Sequence, residues 1–568
     1  MEKVHPLTPS REAILQIIRA CGLAEGRVPA LLAVYYLLTP AAALADGLSW
    51  LLLLRVFSFS ATAVAEDPSA LALERLLSGA GLPSAPGAML LAAAALFILK
   101  GALTVAVSSL EYILQADCRR KVQERCFERI LFGRWDALQH VPVGRWVGAL
   151  TEEASTFSKY LLSYVRAAYA AVTFLLLGAM AFWVAPKLAV LAGAAGIPAW
   201  AALRYLYAKQ TDLSGRQARE RQGLAADITE RLTGLFQIKA AREAPAHLKA
   251  GMRRQGELTR LEVVLGYFGG AIIAFNTFMI AAFLLLFWFW SRSHASPAAG
   301  LGLMGSVGIL GFRAVGQLNQ LIASVGNLSR LVGCVEPVRR LAVIVGETQK
   351  APLPEPLSGV RLAGVSYSFG GNRVLDGLNV SISPGKLFLI MGPSGAGKTT
   401  MANLIAGLYD AAAGEILYEG PSGKTYPAAR HRPRIGYVTQ DVHLFRGSVR
   451  DNLDPEHKLP DEQLWRCVRD SGAGPFVERL GGLDAEIAEA GRSLSGGERR
   501  RVAIARALAQ DADGLILDEV TNGLDQINRQ ALLETIGKLS QKILIVAITH
   551  DRAAFDGAES TVFTLRKG

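Results

Sequence analysis

Six apolar stretches fall within the first 325 residues, at about 29–54, 88–116, 164–185, 187–207, 263–291 and 297–325. Each is long enough to cross roughly 30 Å of hydrocarbon, for which about 20 helical residues suffice. In water such stretches would need burial on every face. In lipid they need only their own internal hydrogen bonds, which a helix supplies. The six stretches therefore predict a membrane bundle rather than a soluble globule. Composition agrees: 51% of the 568 residues are hydrophobic, 19% are charged and the mean hydropathy is +0.28. Soluble domains carry about a quarter charged residues, and disordered chains are far less apolar.

The formal net charge of +11 would suit a nucleic-acid partner, but its distribution excludes one. Residues 1–350 hold 35 Lys and Arg against 23 Asp and Glu, net +12, whereas residues 351–568 hold 25 against 26, net −1. Two long polar segments, 117–162 and 203–262, carry 8 and 12 basic residues, whereas 57–86 carries only Arg75. By the positive-inside rule both segments and both termini face the cytoplasm, across what reads as a bacterial inner (plasma) membrane. They read as helical extensions of the spans, folded over at tips near Trp135–Arg145 and Gly234–Arg242. Such tips are either docking points for a soluble partner or ordinary helical corners. Residues 9–21 read as an amphipathic helix lying on the membrane surface. The five cysteines are scattered without a C-x-x-C pair, which argues against a disulfide or metal scaffold.

Polar side chains inside spans are costly and usually face a cavity or a partner helix. In the sixth stretch Arg313, Gln317, Gln320, Ser324 and Asn327 follow spacings of 4, 3, 4 and 3, one helical face. With Asp46, Lys100, Glu111 and Asn276 they read as lining a water-filled substrate pathway. The competing reading is a polar seam between helices, or a segment lying in the cytosol.

A Pro-containing stretch, 346–356, marks a boundary. Beyond it the strand Lys386–Met391 runs into Gly392-Pro-Ser-Gly-Ala-Gly-Lys-Thr399, the G-x-x-x-x-G-K-T phosphate loop in its strand–loop–helix setting. There backbone N–H groups wrap phosphates, Lys398 reaches the β/γ oxygens and the Thr399 hydroxyl suits Mg²⁺. The strand Gly514–Asp518 ends in the carboxylate pair Asp518 and Glu519. The first suits Mg²⁺ through water, and the second suits polarising an attacking water. Another strand ends in His550. Leu494-Ser-Gly-Gly-Glu498 opens a basic helix, a second phosphate-grade site. A chain that already holds one nucleotide would use such a site for a partner's.

In this order the motifs resemble those of the ATP-binding-cassette transporters, specifically half-transporters with the exporter-type (type IV) membrane domain. The resemblance implies a multidomain fold: an all-α six-helix transmembrane domain followed by an α/β P-loop nucleotide-binding domain. It divides the chain into an N-terminal elbow at 1–27, a six-span domain at 28–345, a linker at 346–360 and the cassette at 361–568. It implies ATP and Mg²⁺ as cofactors and a second half-transporter as partner, identical or different. Around the nucleotide it implies Gly392, Ser394, Gly395, Gly397, Lys398, Thr399 and Thr400, with Phe369 or else Tyr367 stacking on adenine. Gln440, Glu519 and His550 are implied in catalysis, with Thr399, Gln440 and Asp518 around the metal. Ser495, Gly496, Gly497 and Asp525 would meet the partner's nucleotide and P-loop. The chain departs from the family pattern where Asn522-Gly-Leu-Asp525 replaces the usual Ser-Ala-Leu-Asp. The implied activity is ATP-driven transport, read as export of an amphipathic or anionic compound. The alternatives are import of a metal-chelating compound and an ATPase that gates or regulates without transporting.

Overall fold

The computed structural model describes residues 11–59, 85–139, 143–184, 186–294, 313–328, 331–344, 350–369, 372–488, 491, 494–550, 552, 555 and 559–566. They divide into two compact units. The first comprises Met1–Phe132 and Val141–Val345, and the second Gly133–His140 and Gly346–Gly568.

The first unit is helical. Its elements are α1 (Arg11–Ala20), α2 (Arg27–Phe59), α3 (Pro86–Phe132), α5 (Val143–Gly148), α6 (Ala154–Val184), α7 (Pro186–Thr233), α8 (Leu235–Ala240), α9 (Ala244–His294), α10 (residues 313–328) and α11 (Val335–Arg339); α4 belongs to the second unit. Among the described residues four helical stretches are long and apolar enough to cross a membrane: Arg27–Trp50, Pro86–Phe132, Trp146–Ala179 and Ala244–Phe275. The expected fourth span falls inside α7, while 297–312 of the expected sixth lie outside the described residues. Leu37, Leu91 and Ile98 present about three quarters of their surface outward. That arrangement suits lipid and would be unfavourable in water.

The amphipathic helix expected over residues 9–21 forms as α1. Ile17 is fully buried, and Ala13 and Cys21 are buried beside it. They pack with Val122 and Cys126 of α3, Phe157 and Tyr160 of α6, and Val335 and Val338 of α11. The apolar face of α1 is thus covered by protein. Lys121 fixes its exit by donating to the carbonyls of Gly22 at 2.6 Å and Glu25 at 2.8 Å. Four of the five cysteines, scattered in sequence, meet in this one cluster because α3 returns past α1 and α11.

Among the described residues the second unit holds two short two-stranded pairings, Ala351–Pro352 with His431–Arg432 and Gly447–Ser448 with Glu486–Ile487, and two larger sheets. A parallel one joins β3 (Leu387–Met391), β6 (Ile435–Val438), β7 (Gly514–Asp518), β8 (Leu544–Ile548) and β9 (Ser560–Thr564) in the order β9-β3-β8-β7-β6. β3, β7 and β8 are buried almost throughout, as near-continuous apolar runs require when both faces of a parallel sheet are covered. An antiparallel sheet joins β1 (Gly359–Phe369), β2 (Asn372–Ile382), β4 (Ala413–Glu419) and β5 (Thr425–Pro427) in the order β2-β1-β4-β5. Around them lie α12 (Lys398–Ile405), α13 (Val449–Leu453), α14 (Asp461–Asp470), α15 (Gly474–Leu480), α16 (Gly496–Ala509) and α17 (Gln526–Ser540). The first sequence-predicted tip, α4 (Trp135–Leu138), clusters with this unit, and the Tyr409 hydroxyl donates to Gln139 Oε1 at 2.5 Å. The second tip, α8, buries none of its side chains.

Candidate nucleotide and cargo sites

A parallel sheet delivers the C-terminal ends of all its strands to one edge. Here β3 leads into the phosphate loop, β7 ends at Asp518, β8 leads to His550 and β6 leads to Gln440. Residues more than a hundred positions apart are brought together by strand direction alone. Gly392 has φ of +147°, and a Cβ there would stand 2.6 Å from the Leu565 carbonyl oxygen. Only glycine fits at that start of the loop. Gly397, φ +92°, closes it beneath Leu375 and caps α12. The open first turn of α12, Lys398 to Thr400, aims backbone N–H groups at the loop's hollow, a fit for phosphate oxygens. Ser394, Gly395 and Thr399 are exposed. Lys398 is buried, donating its ammonium to the carbonyls of Gly392 and Pro393, both at 3.0 Å.

Burial pushes the Asp518 carboxyl above its ordinary range, and the neighbouring Glu519 charge adds to this against Lys398 and His550. Such a group favours a compensating cation. Glu519 sits at φ +48°, in the left-handed region that non-glycine residues seldom adopt. Its Oε1 lies 3.0 Å from His550 Nε2, and its Oε2 accepts from Asn522 Nδ2 at 2.7 Å. Gln440 is exposed at the same edge.

Ser495 caps α16 reciprocally: its hydroxyl accepts from the Glu498 N–H at 3.3 Å, and Glu498 Oε2 accepts from the Ser495 N–H at 2.9 Å. Burial opposes ionisation of Glu498. The Ser495 hydrogen bonds and the Arg479 guanidinium, 2.6 Å from Oε1, outweigh it and hold the carboxyl below its usual range. Ser495 is exposed and Gly496 has open space before it, so this helix start faces outward. Asp525 caps α17, accepting from the N–H of Asn528 at 2.9 Å and from its side chain at 3.1 Å.

The two adenine candidates differ in environment. Tyr367 is buried and stacks on Tyr409, with centroids 5.1 Å apart and planes 7° apart. Phe369, at the strand end, is 41% exposed.

In the first unit the structure joins three of the sequence-predicted pathway residues. Asp46 of α2 is buried and accepts from Arg313 of α10, and Lys100 of α3 stands 2.6 Å from its Oδ1. The Arg313 guanidinium lies 5.3 Å from the Trp50 ring centre. Gln317, one turn along α10, has a buried Oε1 with no hydrogen-bond partner among the described residues, and Gln320 is partly buried. Asn276 lies in α9, its side chain outside the described residues. Glu111 belongs to a separate group, accepting from Tyr35 at 2.9 Å and Arg166 at 2.9 Å. Sequence reasoning missed Tyr409, Trp50, Arg479 and the amide of Asn522. None of them bears a motif's spacing, and only the break at Asn522 in the family pattern pointed to it.

Residues 375–522 match the ABC transporter family, and residues 41–293 match the ABC transporter transmembrane region. An uncharacterized ABC transporter ATP-binding protein of Sinorhizobium fredii is 26% identical over 78% of this chain and 77% of its own length. The ATP-dependent lipid A-core flippase of Mannheimia succiniciproducens and the mycobactin import ATP-binding/permease protein IrtB of Mycolicibacterium thermoresistibile are each 37% identical, over 35% of both chains. A bacterial Atm1-family ABC exporter solved with ATP bound shares the fold, with a TM-score of 0.71 over 97% of this chain and 94% of that one at 19% identity.

Proposed function

The chain belongs to the ATP-binding-cassette transporters with the exporter-type membrane region, and on that premise we propose that two such chains form an ATP-driven translocase. The observation that carries this is the grouping of phosphate loop, Asp518, Glu519 and His550 at one sheet edge, with the Ser495–Gly497 helix start facing outward. Neither half is a complete ATP site alone. The first supplies phosphate donors and a water-orienting carboxylate, and the second supplies the donors that a partner's γ-phosphate needs.

Binding would place the triphosphate in the Gly392–Thr400 cradle, with Phe369 rather than the buried Tyr367 against the base. Mg²⁺ fits the donors present. Asp518 is a desolvated carboxylate, Thr399 an exposed hydroxyl and Gln440 an exposed amide. Among the described residues no cluster of three acidic, His or Cys side chains forms a self-sufficient cage. Such a sparse donor set suits an ion that completes its shell with phosphates and water. When bound, Mg²⁺ would neutralise developing charge on the phosphate oxygens. Glu519 would then orient water for in-line attack while His550 steadies the carboxylate. Closure of the two cassettes, and its reversal after hydrolysis, would switch the spans between inward and outward access. The coupling works by differential affinity of the two conformations for nucleotide.

The positive-inside pattern supports six spans with both termini and the cassette in the cytoplasm. The cluster of Lys100 and Arg313 around the single carboxylate of Asp46 is net cationic, which supports an anionic or amphipathic cargo. The flippase and the mycobactin importer among the relatives move cargo in different senses, so direction is read by experiment. Glu519→Gln should retain ATP binding and lose turnover by about 10²-fold or more, since the group that orients water is gone. ATP hydrolysis and flux in proteoliposomes test this. Near-normal hydrolysis in that variant refutes the site, and ATPase without flux favours a gating role.

A further inference from the structure

The family-atypical Asn522 is not idle. Val520 and Thr521 are buried and anchor a tight turn in which the Asn522 N–H donates to the Glu519 carbonyl at 3.1 Å. The turn folds the Asn522 side chain back onto the carboxylate of the same residue, Nδ2 to Oε2 at 2.7 Å. On the other side His550 Nε2 meets Oε1 at 3.0 Å. The last torsion of a glutamate is soft and roughly two-fold. Two donors on opposite oxygens fix it, and each oxygen keeps a further lone pair for water. A serine at 522, the usual family residue, carries its hydroxyl one bond closer to the main chain and falls short of Oε2.

We propose that Asn522 is a positioning residue for hydrolysis, its side-chain amide setting the plane of the Glu519 carboxylate from the side opposite His550. It rests on the reading that Glu519 orients the attacking water. In this chain the orientation of that water depends on residue 522 as well as on the histidine. The strained backbone at Glu519 makes a side-chain tether more consequential, because the residue is already held away from relaxed geometry.

The test uses the full chain reconstituted in lipid, with MgATP. Asn522→Ala and Asn522→Ser should each lower kcat about tenfold, the scale of one hydrogen bond to a charged group. KM for ATP and equilibrium ATP affinity should not change, because no phosphate or base contact is lost. A double-mutant cycle then separates positioning from a structural role. In Glu519→Asp the shorter arm no longer reaches the amide, so adding Asn522→Ala should cost nothing further, read over long incubations with labelled ATP. An unchanged kcat in Asn522→Ala overturns the proposal. So does a penalty as large in the Glu519→Asp background as in the wild type, since Asn522 would then act through another group. An active Glu519→Gln refutes the underlying assignment of Glu519 together with this proposal. An inactive Glu519→Gln beside an unaffected Asn522→Ala refutes the proposal alone.

Discussion

At the scale of single residues, the contrast between Tyr367 and Phe369 shows where sequence reasoning stops. Alternation along a strand places 365, 367 and 369 on one face, so both aromatics read as equivalent. In the structure β1 carries register shifts between Val365 and Tyr367 and between Tyr367 and Ser368, and it ends at Phe369 opposite Asn372. Tyr367 stays in the core, whereas Phe369 stands at the corner of the hairpin, where it is exposed. Period-two patterning carries no signal for such shifts. The two substitutions should therefore part company. Phe369→Ala should raise KM for ATP several-fold, consistent with losing about 1 kcal/mol of stacking, with little change in melting temperature. Tyr367→Ala removes a buried ring from the stack on Tyr409 and should destabilise the unit by about 3–5 kcal/mol. Thermal melts and ATP titrations on the two variants decide it. Asp518, Glu519 and His550, by contrast, were legible because each stands at or just beyond the C-terminal end of an apolar strand, and strand direction does the rest.

At the scale of elements, α1 is the instructive case. Its amphipathic pattern was plain in the sequence, but periodicity reports only that one face is apolar and does not identify what covers it. Both lipid and protein satisfy the same pattern. The structure covers that face with α3, α6 and α11. The distinction is measurable because apolar residues on α1 are not equivalent: Ile17 is fully buried and Leu15 is 40% exposed. Ile17→Ala should cost about 2–4 kcal/mol as a cavity forms in the cluster, lowering the thermal midpoint of the purified protein. Leu15→Ala should leave the midpoint almost unchanged. Equal effects of the two would mean that this face of α1 is not packed against α3, α6 and α11. The cassette shows the opposite case. Its signature helix α16 was legible as a basic helix opened by Ser-Gly-Gly, and the structure starts it at Gly496 under a capping box of Ser495 and Glu498.

At the scale of the whole molecule, the charge that first suggested a nucleic-acid partner divides by unit and by depth. Most of it lies in the polar extensions of the helices. A small part lies among the spans, where Asp46 meets two cations from two other helices. The 4-3-4-3 spacing showed that Arg313 and its neighbours share a face, but a one-dimensional pattern does not say which helix that face meets. That tie joins α2, α3 and α10, and its arithmetic is asymmetric. Removing Arg313 leaves the Asp46–Lys100 pair, which is neutral. Removing Asp46 leaves Lys100 and Arg313 facing each other without a counter-charge, and stranding a charge among apolar helices costs about 3–5 kcal/mol. Asp46→Ala should accordingly lower the thermal midpoint well below that of Arg313→Ala, although alanine removes more atoms from the arginine. The functional consequences should run the other way. Arg313→Ala keeps the fold and basal ATP hydrolysis but should lose the response to an anionic cargo, because the group that can exchange Asp46 for a cargo anion is gone. Differential scanning of both variants, paired with cargo-stimulated ATPase in liposomes, reads both effects. If Arg313→Ala melts as early as Asp46→Ala, the three charges form a structural seam, and a cargo site on this face of α10 would be ruled out.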